Sequence, residues 1–257
     1  MRYESVLVEK KEEGIVKITM NRPQVLNALN NALCRELSQA FEEVNRDESV
    51  SVVVLAGAGR AFCAGRDLKA PKDFLEGDWV VGEVFSWPQR LAPPIIAAVQ
   101  GYAVTGGFEL ANACDLIVAA ENAVFRDSHA QVGLVPGAGN TQRLPRLVGE
   151  KKAKEILFTS EFVSAREAER IGLVNKVVPV EKLEEETMAL ARKLASQPKQ
   201  MLRKLKQVIN EGMAMNFGAA MMFESLQSRA WRERQTPEEI AQRGQATIQK
   251  GRAEGKK

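Results

Sequence analysis

Two short apolar runs constrain the fold of this chain more than any other sequence feature. The first, Val50 to Leu55, contains four valines, and the second runs from Ile95 to Val99. Runs of this length and β-branching are typical of strands that are buried on both faces of a parallel sheet. Each run leads into a glycine-bearing turn, and after the second turn an amphipathic segment precedes another apolar run, Leu116 to Ala119. The order strand, helix, strand predicts an α/β fold.

Flanking segments extend this pattern to about residue 178. Val6 to Lys10 and Ile15 to Met20 are separated by a polar turn and predict an opening hairpin. Asn30 is a good cap residue for the helix that should follow. Ser164 to Ile171 predicts a short helix that begins with a Ser-x-x-Glu capping box, and Leu173 to Val178 predicts a strand.

Beyond Val180 the strand signal disappears and helical patterns take over. The predicted helices are Glu181 to Ser196, Pro198 to Met215, Phe217 to Arg234 and Pro237 to Lys250. Methionines are frequent here, and such adaptable apolar side chains suit packing against another subunit. With 257 residues in all, we expect a core domain over residues 1–195 and a helical oligomerisation region over residues 196–257.

Charge and cysteine usage limit the partners and the compartment. The 36 basic and 33 acidic residues give a net charge of +3, which is too mild to indicate nucleic-acid binding. The longest apolar stretch, Pro93 to Val99, is far shorter than the ~20 residues that span a bilayer. Three widely spaced cysteines fit neither a disulfide framework nor a metal site. We therefore expect a cytoplasmic protein with no membrane partner.

Several common cofactor signatures are absent from the sequence. It contains neither the G-x-x-x-x-G-K-[ST] pattern of a P-loop nor the G-x-G-x-x-G pattern of a dinucleotide fold. His129 is the single histidine, so a site with several histidine ligands is impossible. The sequence thus predicts no metal and no bound cofactor.

Two glycine-containing turns place backbone N–H groups where a buried strand ends. They are Ala61 to Leu68 and Gly101 to Leu110, and the second runs into a predicted helix. Free N–H groups at a helix N-terminus suit an anion, or a carbonyl oxygen that becomes one. Taken alone, either segment is more typical of a tight turn. Brought together, the two would form an oxyanion hole.

Four groups of residues occur in an order typical of one protein family. They are Asn21 to Pro23 with Leu26 to Leu29, Ala61 to Lys69, Pro94 to Ala103 with Gly106 to Ala111, and Gly133 to Leu144. Over nearly its whole length the chain resembles the enoyl-CoA hydratase/isomerase (crotonase) superfamily. This resemblance implies a crotonase-like spiral of ββα units with a C-terminal α-helical trimerisation region. It also implies a homotrimer or a dimer of trimers, and an acyl-CoA thioester whose coenzyme A is part of the substrate.

The resemblance also implies roles for individual residues. Backbone N–H groups of Arg66 and Gly106 match the oxyanion-hole positions, and Glu109 matches the first of two catalytic glutamates. The positions that match contacts to coenzyme A are Ala28, Ala64, Asp67, Leu68, Lys69 and Lys250. The two lysines would face the phosphates, although a solvated surface role is the alternative for both.

The second catalytic glutamate of the family is absent. Aligning Phe125 and Gly133 to Gly139 without a gap places His129 at that position. An imidazole with a pKa near ~6.5 can give or take a proton at neutral pH, so His129 becomes a candidate acid or base. Whether it protonates the α-carbon stays open. Asp127 is a nearby carboxylate for which a surface or supporting role is favoured.

Three functions remain compatible with the sequence. The first is a hydratase-like lyase in which Glu109 activates water and His129 assists proton transfer. The second is isomerisation, decarboxylation or hydrolysis of an acyl-CoA, which the residue at 129 motivates. The third is an acyl-CoA-binding or RNA-binding protein, supported only by the basic residues Lys199, Arg203, Lys204 and Lys206. The sequence does not identify the acyl chain, because its pocket would draw on the segment Ala70 to Gln89 and on the helical tail.

Overall fold

A computed structural model describes residues 3–69 and 83–254 of the protein; within the last helix the side chains at 246, 247, 250, 251, 253 and 254 fall outside this description. The chain divides into two compact units, of which the first ends at Arg203 and the second begins at Lys204.

Short strands account for the β structure of the first unit. They are β1 (Val6–Glu12), β2 (Ile15–Met20), β3 (Val52–Gly57), β4 (Ile95–Val99), β5 (Tyr102–Val104), β6 (Leu116–Ala120), β7 (Val124–Arg126), β8 (Val163–Ser164) and β9 (Lys176–Val178).

Helices connect these strands and form the C-terminal part of the chain. They are α1 (Asn31–Arg46), α2 (Trp87–Arg90), α3 (Gly106–Ala113), α4 (His129–Val132), α5 (Asn140–Val148), α6 (Glu150–Thr159), α7 (Ala165–Arg170), α8 (Leu183–Ala195), α9 (Lys199–Gly212), α10 (Phe217–Arg232) and α11 (Pro237–Glu254). Short 3-10 turns lie at Pro23–Val25 and Val180–Lys182.

The main sheet has six strands in the order β1-β2-β3-β4-β6-β9. Only the opening β1–β2 hairpin is antiparallel, and every later pair is parallel. All residues of β3 and β4 are buried, as expected of apolar runs covered on both faces. Alternate side chains of β3 enter different cores: Val53 and Leu55 pack with residues of α1, whereas Val52 and Val54 pack with residues of α8.

Helix α1 covers one face of this sheet. Its cap is Asn30, whose side chain accepts a hydrogen bond from the Leu33 N–H at 2.9 Å. Leu33, Leu37 and Phe41 recur at helical spacing and are completely buried. The cap and the spacing together explain why the helix begins here and which side it buries.

A second sheet has the strand order β5-β7-β8, and its strands β5 and β7 lead into the helices that contain Glu109 and His129. Strands β5 and β7 pair in parallel, with Ala103 opposite Phe125. The chain enters this sheet twice in the same way, since β4 is followed by β5 and then α3, and β6 by β7 and then α4. This is the ββα order that the family resemblance implies. Strands of three residues carry too few side chains to produce a periodic signal, which is why the sequence does not reveal β5 and β7.

Two segments differ from the sequence predictions. Leu173 and Val174 do not belong to the last strand, because their N–H groups donate to the Ala168 carbonyl at 2.8 and 3.1 Å and thereby close helix α7. Strand β9 consequently begins at Lys176. Residues 140–159, in which no helix was predicted, form α5 and α6.

The second unit is helical over its described residues. Asn216 caps α10 by accepting from the Ala219 N–H at 3.0 Å, and Thr236 and Glu239 form the predicted capping box at the start of α11. In the described segments, no helix combines the length and the apolar character needed to cross a membrane.

Candidate active site

Helix α3 begins one residue after β5, and Thr105 is its N-cap. The preceding residue, Thr105, has φ 52°, which is unusual for a β-branched residue. Two contacts hold this conformation: the Thr105 N–H donates to the Arg126 carbonyl at 2.7 Å, and its hydroxyl lies 2.6 Å from that of Ser128. The N–H groups of the first helical turn, which begins at Gly106, have no acceptor within the helix. They are therefore suited to an oxygen that gains negative charge.

The other glycine turn is fixed around Arg66 by main-chain pairing with Leu29. The Leu29 N–H donates to the Gly65 carbonyl at 2.7 Å, and the Asp67 N–H donates to the Leu29 carbonyl at 2.9 Å. Gly65 has φ 89°, and a Cβ there would lie 2.7 Å from the Val104 carbonyl oxygen. A glycine is thus required both for the conformation and for the close approach of the two turns.

The two glycine turns lie side by side. Cys63 pairs with β5, since its N–H donates to the Tyr102 carbonyl at 2.9 Å and its carbonyl accepts from Val104 at 3.0 Å. A Cβ at Gly107 would lie 2.1 Å from the Cys63 carbonyl oxygen, and one at Gly106 would lie 3.9 Å from Gly65 Cα. The backbone segments that contain Arg66 and Gly106, far apart in sequence, therefore meet.

Glu109 lies in the first turn of α3, just after Gly106 and Gly107. Its side chain is almost fully buried, and its Oε1 accepts hydrogen bonds from the N–H groups of Ala138 at 2.9 Å and Asn140 at 3.4 Å. Burial raises the pKa of Glu109, although the charge of His129 and the two N–H donors act in the opposite direction. A carboxyl group with a raised pKa is suited to accepting and releasing a proton near neutrality.

His129 opens the single turn α4 immediately after β7. Its ring Nδ1 lies 2.7 Å from Asp127 Oδ1, and its main-chain N–H donates to the same oxygen at 3.0 Å. Burial alone would lower the pKa of His129, but the hydrogen bond and charge of Asp127, together with the charge of Glu109, outweigh it and raise that pKa. The structure thus places His129 close enough to Glu109 for each charge to affect the other.

Asp127 is completely buried, whereas the sequence allowed it a surface place. Its Oδ2 accepts from Asn140 Nδ2 at 2.8 Å, and Asn140 Oδ1 in turn accepts from Asn112 Nδ2 at 3.1 Å. Burial alone would raise the pKa of Asp127, but its bonds to His129 and Asn140 lower it. Sequence reasoning did not identify Asn112 or Asn140, because an amide in a helix carries no signal until its partner is known.

Arg143 supports the loop that binds Glu109. Its Nη1 donates to the Ala138 carbonyl at 2.5 Å and its Nη2 to the Phe85 carbonyl at 3.5 Å. The same residue, Ala138, offers its N–H to Glu109. Burial lowers the pKa of Arg143, and the charge of Glu109 opposes this. The family-like segment Gly133 to Leu144 contains Arg143, but no pattern within that segment indicates its contacts.

The candidate contacts to coenzyme A fall into two groups. Ala28 is buried and Ala64 is half-buried beside the first turn, whereas Leu68 and Lys69 are exposed, with 83% of Leu68 accessible. Lys250 lies in α11, but its side chain falls outside the described residues.

Asp67 is engaged within the protein. Its Oδ2 lies 2.9 Å from Arg22 Nη2, and its Oδ1 accepts from the Lys69 N–H at 3.1 Å. The carboxylate therefore shapes the turn that carries Arg66 and Leu68.

Among residues 3–69 and 83–254, no group of three or more His, Cys, Asp or Glu side chains could hold a metal ion. Burial raises the pKa of Cys63 to about 12, which keeps this thiol protonated and unreactive.

Comparisons with known proteins identify the family of the chain. The family described as enoyl-CoA hydratase/isomerase matches residues 10–235. A probable peroxisomal enoyl-CoA hydratase 1 of Arabidopsis thaliana is 38% identical over 237 residues, which cover 91% of this chain and 89% of that protein. A short-chain-enoyl-CoA hydratase of Clostridium acetobutylicum is 40% identical over 231 residues, or 88% of each protein.

Solved structures lead to the same family. The crystal structure of an enoyl-CoA hydratase from Bacillus anthracis aligns with a TM-score of 0.89 at 35% identity, covering 95% of this chain and 97% of that one. The family resemblance and the crotonase-like α/β fold that the sequence predicts are confirmed. The chain is an enzyme of the crotonase superfamily and belongs to the enoyl-CoA hydratase/isomerase family.

Proposed function

We propose that the protein adds water across the α,β double bond of an enoyl-CoA thioester. The observation that carries this proposal is the buried carboxylate of Glu109 next to the two converging glycine turns. Glu109 takes a proton from water, and the resulting hydroxyl bonds to Cβ. The π electrons move through Cα to the thioester oxygen, and the enolate that forms is then protonated at Cα.

The glycine turns stabilise the negative charge of this enolate. N–H groups of Arg66 and Gly106 are the donors that we assign to the thioester oxygen, and both segments are fixed by main-chain bonds before substrate arrives. Preorganised donors of this kind typically contribute ~10²- to 10³-fold in rate each. We assign contacts to coenzyme A to Ala28, Ala64 and Leu68, with Lys69 and Lys250 facing the phosphates. Asp67 acts through the turn that it shapes with Arg22.

Hydration of crotonyl-CoA provides the test. We expect the absorbance of the conjugated thioester to fall and the product mass to increase by one water. Glu109→Gln should lower kcat by ~10²- to 10⁴-fold, because the general base is lost. Glu121→Gln is the matched control, since Glu121 is an exposed glutamate that pairs with Arg166. No gain of water with crotonyl-CoA or with longer or branched enoyl-CoAs would contradict the proposal.

A second reaction class is favoured by one observation, the presence of His129 where a second carboxylate is expected. A different acid or base above Cα suits isomerisation of the double bond, and an enoyl-CoA isomerase from M. smegmatis is 34% identical with a TM-score of 0.76. Mass spectrometry separates the outcomes: an unchanged mass with a shifted double bond indicates isomerisation. Loss of carbon dioxide indicates decarboxylation, and free coenzyme A indicates hydrolysis.

Assembly and location are further parts of the proposal. We infer a homotrimer or a dimer of trimers, with residues 196–257 as the oligomerisation region. Support comes from large apolar side chains that are exposed in the single chain, namely Ile209, Met213, Phe217, Met221, Met222 and Leu226. Light scattering on the purified protein should give a mass of three or six chains, and a monomer would contradict this.

We also propose a cytoplasmic enzyme that needs no cofactor. Cys34, Cys63 and Cys114 are thiols that form no disulfide, which suits a reducing compartment. Activity should survive extensive dialysis against a chelator, and cell fractionation should recover it with the cytosol. Recovery in an organelle would contradict the cytoplasmic location. The Arabidopsis relative is named peroxisomal.

A further inference from the structure

We propose that Asp127 is a positioning residue that makes His129 the proton donor to Cα of the bound thioester. The Asp127–His129 pair would thus do the work of the glutamate that the family pattern has at position 129. This inference rests on the proposed function, because it assigns the α-proton of the same reaction.

The geometry determines which ring nitrogen exchanges protons. Asp127 Oδ1 accepts from both the main-chain N–H of His129, at 3.0 Å, and the ring Nδ1, at 2.7 Å. An ionised carboxylate can only accept, so Nδ1 carries a hydrogen in either protonation state. The other nitrogen, Nε2, is therefore the atom that gains and loses the proton. Two bonds to one oxygen also restrict rotation of the ring.

The surroundings of Asp127 favour a charged partner. Both of its oxygens are occupied, Oδ1 by His129 and Oδ2 by Asn140 Nδ2 at 2.8 Å, and Asn112 holds Asn140 in turn at 3.1 Å. The carboxylate is completely buried, and a buried charge is costly unless it is hydrogen-bonded and balanced. Asn140 is a neutral donor, so the imidazolium of His129 supplies the balancing charge.

The carboxylates around His129 act in the same direction, and the nearby arginines are directed to other groups. Asp127 at the end of β7 and Glu109 on α3 both stabilise the imidazolium. Arg143 on α5 acts on Glu109 and is bonded to the Ala138 and Phe85 carbonyls. Arg126 of β7 is directed to the Ser160 carbonyl at 2.7 Å and to Gln131. The net effect is a pKa of His129 above its ordinary value.

The proton transfer balances as follows. After hydroxyl addition at Cβ, the enolate electron pair forms a C–H bond at Cα with the hydrogen of His129 Nε2, and the thioester carbonyl is restored. The N–H bond breaks and its electron pair stays on the now neutral imidazole. Glu109 holds the proton taken from water, and transfer of that proton to His129 through solvent resets the site. One water is consumed in total.

Hydrogen exchange separates this step from hydration. A saturated thioester such as butyryl-CoA cannot be hydrated, but its α-hydrogens exchange with D2O if the enzyme forms the enolate and one group carries the α-proton. We expect exchange with the wild-type protein and a ~10²- to 10⁴-fold loss in His129→Gln. Glu109→Gln should lose hydration of crotonyl-CoA while retaining measurable exchange.

Asp127→Asn tests the positioning residue by a readout that a merely structural role would not move. His129 is the only histidine, so an untagged protein gives one imidazole resonance whose titration can be followed by NMR. Removing the adjacent charge should lower this pKa by about one unit or more. The alkaline limb of the hydration pH profile, where the imidazolium is lost, should move to lower pH by the same amount.

A double variant guards against loss of folding. Asp127→Asn would place two amide donors face to face, and adding Asn140→Asp restores a complementary hydrogen-bond pattern with the charge farther from His129. The double variant should fold as the wild-type protein does while its His129 titration stays shifted. An unshifted titration and pH profile would overturn the proposal, and so would absence of exchange in the wild-type protein. Exchange that survives in His129→Gln but vanishes in Glu109→Gln would also overturn it. Exchange that depends on His129 without any hydration would refute the hydratase function alone.

Discussion

The side-chain oxygens of Thr105 and Ser128 lie 2.6 Å apart, and this contact joins the start of α3 to the turn that carries His129. The Thr105 N–H also donates to the Arg126 carbonyl at 2.7 Å. Thr105 itself has φ 52°, a conformation that persists only when its surroundings enforce it. Thr105 and Ser128 therefore link the start of α3 to the turn that carries the candidate proton donor.

Ser128→Ala should destabilise the protein and reduce its activity. Loss of this hydrogen bond in a part-buried place is expected to cost about 1 kcal/mol and to lower kcat several-fold. Thermal unfolding and crotonyl-CoA hydration measure the two effects. Ser196→Ala is the matched control, because that serine is exposed at the end of α8 and bonds only its own helix at Lys193. Equal behaviour of both variants would show that the Thr105–Ser128 contact is dispensable.

Glu109→Gln should change how stability depends on pH. Burial raises the pKa of Glu109 above its ordinary 4.5, so its contribution to stability is complete below that value and is lost as the pH rises through the folded-state pKa. Glutamine does not ionise, so its contribution to stability does not change with pH. The unfolding free energy of the variant relative to the wild-type protein should therefore increase between pH 4.5 and pH 8, as measured by urea titration. A constant difference would contradict the burial penalty.

His129→Gln should show a pH dependence of the same sign, because the pKa of His129 is also raised. The raised pKa of His129 contributes stability that is complete below about 6.5 and is lost as the pH rises through the folded-state value. The lowered pKa of Asp127 contributes stability that is present above 3.8 and is lost as the pH falls through its folded-state value. The pair therefore stabilises the protein most between these limits. The unfolding free energy of the wild-type protein should exceed that of the variant by more at pH 5.5 than at pH 9, as measured by urea titration. A larger difference at pH 9 would contradict the stabilising role of the Asp127–His129 pair.

Gly106→Ala and Gly107→Ala should differ sharply although the glycines are neighbours. A Cβ at Gly107 would lie 2.1 Å from the Cys63 carbonyl oxygen, which is held by pairing with β5, so we expect little folded protein. A Cβ at Gly106 meets side-chain atoms of Leu29 at 3.1 Å and Phe85 at 3.5 Å, which can move. For this variant we expect a loss of about 1 to 3 kcal/mol with the fold retained. Comparable soluble yield and melting temperature would refute the asymmetry.

Much of the fold can be predicted from local sequence. The buried runs that become β3 and β4, the Asn30 cap of α1 and the Ser164 cap of α7 all act over a few residues, so pattern and chemistry suffice. The family resemblance then supplied candidate roles for Arg66, Gly106 and Glu109. The three-residue strands and the helices over 140–159 were not predicted, because short or weakly periodic segments take their structure from the neighbours they pair or pack with.

The site shows where local information ends. Nothing near Asp127 in the sequence indicates that it is completely buried, that Asn140 and Asn112 hold it, or that it holds His129. Likewise, the sequence does not indicate that Asp67 forms an ion pair with Arg22 on a distant segment. The pairing of β5 with β7 and the start of α5 bring the partners of Asp127 together.

The sequence by itself determined the strand and helix order, the glycine turns and the family, because hydrophobic periodicity, capping and backbone freedom are properties of adjacent residues. The tertiary structure alone decided that Glu109 has a raised pKa, that the only histidine is oriented by a buried carboxylate, and that two turns some forty residues apart lie side by side. Desolvation and charge pairing depend on distance in space, and the chain sets those distances only after its sheets have formed.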